Sequence, residues 1–195
     1  MRYAGRPGWR VSHGGGSEFV LALHVRAALG LEHALAPDVP PLDRPLPVGS
    51  VLPVAELDLG RIAADWEDWW AGLLSRGHRR PEFRPGLRDG LPAGLDTRGD
   101  ELRAASARWT VERKRALERA GAPHPREVLP VQRAVAELEA EGFASPLFEL
   151  HVEELPVAGD LWRHEPRGFV LASTRALRAD TAAERLKTAL RDLLV

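Results

Sequence analysis

The chain has 195 residues, 44% apolar and 28% charged, with a formal net charge of −1. This composition suits one globular domain, 1–195, long enough to bury a core without staples, and it excludes wholesale disorder. The absence of cysteine excludes disulfide scaffolds, thiolate metal sites and cysteine nucleophiles.

The cationic residues are 25 arginines and two lysines, Lys114 and Lys187. With abundant Ala, Gly, Pro and Leu, this reads as the coding bias of a GC-rich bacterial genome. It weakens any argument from arginine content toward nucleic acid. Residues 1–16 lack the apolar core and cleavage site of a signal peptide. The longest apolar stretch, Phe19 to Leu31, contains His24 and Arg26 and is too short to span a bilayer. The expectation is a soluble, cytoplasmic protein with no membrane partner. Charge is uneven along the chain: +2 over 1–37, −5 over 38–75, +6 over 76–133 and −4 over 134–195. A basic middle flanked by acidic segments points to internal pairing or to an electrostatic partner.

Trp9 to His13 reads as a short strand. Gly14, Gly15 and Gly16 follow, and Ser17 is placed to cap a helix over Glu18 to Leu29 that Gly30 ends. This helix is apolar nearly all round, the pattern of a buried helix. Six prolines between 36 and 53 mark an extended connection. Gly60 to Ser75 is amphipathic, with Ile62, Trp66, Trp69, Trp70, Leu73 and Leu74 on one stripe. Residues 76–99 read as a long basic loop. Asp100 to Ala120 is a strong helix stopped by Gly121 and Pro123, and a further helix spans about Pro130 to Glu141.

Beyond residue 146 the pattern changes. Leu147 to Leu155 alternates, with Phe148, Leu150 and Val152 on one side and Glu149, His151 and Glu153 on the other. Gly168 to Ser173 is a second strand, and Leu161 to His164 pairs beside it. Thr181 and Glu184 form a capping-box pattern for a last helix. The predicted fold class is α+β: a small, mostly antiparallel sheet made of the N-terminal strand and the strands after residue 146, packed with about five helices.

Four constellations bear on function. The run His13 to Phe19 places Gly14, Gly15, Gly16 and Ser17 before a helix N-terminus, where backbone amides and the helix dipole favour an anion. A His-Gly-Gly-Gly string also occurs in esterase oxyanion loops. Those enzymes need a G-x-S-x-G elbow, which this chain lacks. Neither GxGxxG nor a Walker motif is present, so no cofactor is expected. Among the seven histidines none is spaced i, i+2 or i, i+4 from another, so no metal is expected either. His151 shares a strand face with Glu153 and Glu149, an acid–base geometry and equally a solvent face.

Trp66, Trp69 and Trp70 form a dense cluster that either packs in the core or, if part of the face is exposed, binds a protein partner. Arg79 and Arg80 in the basic loop, with Arg108, Arg115 and Arg119 on one helix face, are candidate contacts to anions or nucleic acid. The leading functional expectation is a non-catalytic interaction or accessory protein that binds another protein. The alternatives are nucleic-acid binding through the arginines of 76–119, and a small hydrolase- or transferase-type enzyme using the glycine loop with His13 or His151 and Glu153.

Overall fold

The structure is a computed structural model that describes residues 9–14, 17–47, 57–77, 91–121, 130–143, 148–165 and 168–194. In chain order the elements are β1 (Arg10–Gly14), α1 (Ser17–Ala28), α2 (Leu59–Gly77), a 3-10 helix (Ala93–Arg98), α3 (Gly99–Arg119), α4 (Val131–Ala140), β2 (Glu149–Leu155), β3 (Trp162–Glu165), β4 (Phe169–Ser173), α5 (Thr174–Arg178) and α6 (Ala182–Arg191). No helix among the described residues is long and apolar enough to cross a membrane. Chain contacts define two compact units. One comprises Met1–Gly14, Pro123–Glu154 and Asp160–Val195, and the other Gly15–Ala122 and Leu155–Gly159.

The first unit is built on a four-stranded sheet ordered β1-β2-β4-β3. The class is α+β as expected, but the sheet is mixed and mostly parallel, not mostly antiparallel. β1 runs parallel to β2, with Ser12 opposite His151 and Gly14 opposite Glu153, while β3 and β4 are antiparallel. The reason lies in the connections. A few residues join β3 to β4 and allow a hairpin, whereas more than a hundred residues separate β1 from β2. That length supplies the crossover a parallel pair needs. Gly168, at φ 80°, lets the chain enter β4 against β2, because a Cβ there would collide with the Glu149 carbonyl oxygen.

One sheet face carries the core of this unit. Leu150 and Val152 of β2 and Val170 and Ala172 of β4 are buried with Ala134 and Leu138 of α4, Leu177 of α5 and Leu186 and Leu190 of α6. Strand alternation supplies the sheet residues, and i, i+4 spacing supplies Ala134–Leu138 and Leu186–Leu190. At the surface, Lys187 of α6 lies 3.3 Å from Glu137, 3.3 Å from Glu141 and 3.2 Å from Glu184. Hydrogen bonding to Glu184 first, then to Glu137, holds the Lys187 ammonium above its ordinary pKa. Thr181 precedes α6 as expected, but its backbone is helical and its side chain makes no capping bond, so the expected capping box does not form. The sequence patterns also did not reveal α5. This short helix is capped instead by Ser173, whose hydroxyl accepts from the Ala176 amide.

The second unit is helical. α1 is buried on every side, as its all-round apolar pattern predicts. Its most consequential residue is charged: Arg26 is fully buried. Its guanidinium Nη1 donates to the carbonyls of Leu35 (3.2 Å), Ala36 (3.2 Å) and Val39 (2.9 Å), and Nη2 to that of Pro40 (2.7 Å). The start of the proline-rich connection is therefore an ordered arm wound about one cation. Ala36 sits at φ 47°, a conformation costly for a residue with a Cβ, and Arg26 accounts for its retention. The arm continues to Leu42, which bridges to Val157, and the Asp43 amide donates to Pro156. The rest of the connection, residues 48–53, lies outside the described residues.

The α2 stripe packs as read. Trp66 stacks on Trp70 at 5.4 Å and 8°, and Trp70 meets Phe19 edge-on at 5.4 Å and 88°. Residues 91–99, read as loop, begin with a turn into the 3-10 helix that leads directly into α3. α3 is 21 residues long, yet its buried residues end at Trp109.

Two predictions follow from the arginine and histidine of α1. Arg26→Met keeps the stem and removes the guanidinium donors from four carbonyls, of which that of Ala36 retains the Val39 amide. It is expected to cost about 2–4 kcal/mol of unfolding free energy in urea titration. His24 is also buried, and neither ring nitrogen has a hydrogen-bond partner among the described residues. Burial lowers its pKa from 6.5 to about 4. The folded chain thus holds a neutral imidazole, while the unfolded chain gains a proton below 6.5. This contribution to stability is complete above pH 6.5 and is lost as pH falls toward 4. His24→Leu is expected to flatten that acid limb of a stability–pH curve by up to roughly 3 kcal/mol.

Candidate functional site

The parallel register of β1 and β2 sets Ser12 and Gly14 on the same face as His151 and Glu153. On the face opposite the helical core, Ser12 Oγ lies 2.9 Å from His151 Nδ1, and His151 Nε2 lies 3.2 Å from Glu153 Oε2. A carboxylate only accepts, so Glu153 fixes a proton on Nε2. That leaves the Nδ1 lone pair to accept from the Ser12 hydroxyl. The result is a hydroxyl, an imidazole and a carboxylate in series. The imidazole lies parallel to the Phe169 ring, 5.7 Å away at 3°.

Exposure is graded along this line. The His151 side chain is 31% exposed, whereas Glu153 is 4% exposed. The strand face expected to meet solvent is therefore wet at Glu149, half-covered at His151 and buried at Glu153. Gly14 belongs to β1, not to a loop before α1, and it closes the site. A Cβ at Gly14 would stand 3.1 Å from Glu153 Oε2 and 3.2 Å from His151 Cε1. This glycine is there for close approach. Gly15 and Gly16 lie outside the described residues, and α1 begins at Ser17.

The opposite face holds a second polar group. His13 Nε2 is 3.5 Å from Glu154 Oε2, and the Thr174 hydroxyl donates to the other Glu154 oxygen. His13 therefore does not join Glu153, since alternation along β1 places them on different faces. Sequence reading found His151 and Glu153 from their i, i+2 spacing but missed Ser12. Its contact spans 139 residues and exists only once the strand register is known.

The other sequence candidates fall as follows. Trp66, Trp69 and Trp70 are 0%, 6% and 6% exposed, and Trp66 Nε1 donates to the Ala22 carbonyl at 2.8 Å. The exposed stripe that partner binding through these indoles requires is absent, because α1 covers it. Arg79 and Arg80 lie outside the described residues. Arg108, Arg115 and Arg119 are all exposed on α3. Beside them is Val111, 49% exposed, which is the exposed large hydrophobic residue among those described. Past Trp109 the packing side of α3 is only half-buried, at Arg113, Ala116 and Leu117. Arg113 is committed to Asp43 by a bidentate pair at 2.6–2.9 Å. Arg108, Lys114 and Arg115 have no ion pair among the described residues.

No group of three metal-ligating side chains occurs among the described residues. Comparison with protein-family models, curated proteins and solved structures finds no match to this chain.

Gly14→Ala separates two opposing effects. In an open strand alanine stabilises over glycine by roughly 0.5–1 kcal/mol. Here the methyl group would press on both His151 and Glu153. The expected net result is a loss of about 1 kcal/mol in denaturant unfolding. A gain in stability would show that the pair yields freely and is not held.

Proposed function

We propose that the chain is an interaction protein that docks an acidic protein segment on the outer surface of α3. The observation that carries this reading is the helix's change of character at Trp109. Its first half packs, and from Arg108 onward it presents Arg108, Val111, Lys114, Arg115 and Arg119 to solvent. A short helical end gains little stability in water from local propensity alone, so a partner that covers this end would add what the unit's own packing does not. Apolar Val111 inside a ring of cations suits a protein surface.

The same surface is a poor fit to nucleic acid. Glu112 lies one turn from both Arg108 and Arg115, and Glu118 lies beside Arg115 and Arg119. These carboxylates interrupt the run of cations that a regularly charged phosphate backbone needs, whereas a peptide can set its few carboxylates against the arginines alone. The alternative of binding through the tryptophans has no accessible indole to support it.

The test compares the wild-type chain with R115E/R119E on an array of acidic peptides, alongside a generic duplex DNA, at low and moderate salt. Wild type is expected to bind a subset of the acidic peptides, and the double variant at least about tenfold less tightly, a step of roughly 1.4 kcal/mol. Tighter binding to DNA than to any peptide would replace this reading with nucleic-acid binding. Equal peptide binding by the variant would remove α3 as the surface.

A further inference from the structure

We infer that Ser12 is a nucleophile toward acyl esters, with His151 as its base and Glu153 as the positioning residue. The inference concerns β1 and β2 and does not rest on the α3 reading. A serine hydroxyl is a weak nucleophile until a neighbouring base takes its proton, and the base must be oriented by a third group. Each requirement is met by a contact in the structure. Ser12 Oγ lies 2.9 Å from Nδ1, the nitrogen left unprotonated when Nε2–H donates to Glu153 at 3.2 Å. Among the described residues the other acceptor for the hydroxyl, the Leu150 carbonyl, is at 3.5 Å and competes weakly.

Burial sorts the roles. Glu153 is 4% exposed, so water screens its charge little and it can stabilise an imidazolium beside it. His151 and Ser12 are half-buried, so each keeps part of its surface in solvent. Phe169 under the imidazole and Gly14 above the pair restrict the ring to one orientation. The ring nitrogens have exchanged places relative to the usual serine triad, but the direction of proton flow is the same. The serine sits within a strand, so no G-x-S-x-G elbow is required.

The steps balance as follows. The Ser12 proton passes to His151 Nδ1 while Oγ bonds to the ester carbonyl carbon. The carbon–alkoxide bond breaks, and the alkoxide leaves with the proton from Nδ1. Water then adds to the acyl-serine, giving a proton to Nδ1. The acyl–Oγ bond breaks, Oγ recovers the proton, and a carboxylic acid is released.

The experiment treats the full chain with a fluorophosphonate, which forms a stable serine adduct with loss of fluoride, and maps the adduct by peptide mass spectrometry between pH 5 and 9. The expected result is modification at Ser12, absent in Ser12→Ala and at least tenfold slower in His151→Gln. Glu153→Gln is expected to slow labelling, and Glu153→Asp, which keeps the carboxylate, to restore part of the rate. A purely structural role for Glu153 would leave the labelling rate of a folded Glu153→Gln chain unchanged. Because the chain has no cysteine, Ser12→Cys also introduces a single thiol. Iodoacetamide is expected to alkylate this thiol at a lower pH than free cysteine, as a histidine-paired thiolate does. No Ser12 adduct at any pH in the folded wild-type chain, or an unchanged rate in a folded His151→Gln, overturns the inference.

Discussion

The helical unit depends on how one buried cation is satisfied. Taking a guanidinium out of water is expensive, and four carbonyl acceptors offset that expense. The acceptors come from residues 35, 36, 39 and 40, so the arm must wrap α1 for Arg26 to be buried at all. The arm in turn places Leu42 and Asp43. Asp43 holds Arg113, and with it the point on α3 beyond which full burial ends. A single buried charge thus converts a proline-rich segment into a defined surface. Proline helps by limiting the arm's unfolded conformations, but it specifies no path.

The sheet unit uses polarity differently. Both faces of the β1–β2 pair carry a histidine beside a glutamate, His151 with Glu153 and His13 with Glu154. The two pairs flank the same backbone step and differ in what surrounds them. Glu154 receives the Thr174 hydroxyl, a partner brought by the tight turn from β4 into α5. Its environment is that of a structural tie. The other pair faces a serine, a glycine and an aromatic ring, which leave one imidazole nitrogen directed at a hydroxyl.

Much of the fold was legible in the sequence because the strongest signals are local. Helix ends fell within two residues of those read from glycine, proline and periodicity, as α1, α3 and α4 illustrate. The buried character of α1 followed from its lack of a polar face, and its Arg26 was visible but unexplained, since its acceptors lie on a segment without regular structure. Strand pairing was not legible. Alternation identifies a strand and says nothing of its neighbour, so the parallel partner of β1 could not be read. That gap also hid Ser12. The tryptophan cluster shows the converse limit. An apolar stripe announces burial against something, and only the packing of α1 shows that the chain covers it itself. In α3 the helix itself was legible through Ala120, whereas the end of its full burial at Trp109 was not.

The pairing of Ser12 with His151 also fixes an order of events in synthesis. A ribosome adds roughly 5–20 residues per second. The 139 residues from the one after Ser12 through His151 therefore take on the order of 7–30 seconds to appear. Throughout that interval β1 is a strand without its β2 partner, while α1, α2 and α3 are completed before β2 is made. An unpaired strand invites the wrong neighbour. This one is only five residues long and carries an arginine, a histidine and a glycine. The glycine that later admits His151 and Glu153 thus serves earlier as well, by making β1 a weak template while it waits.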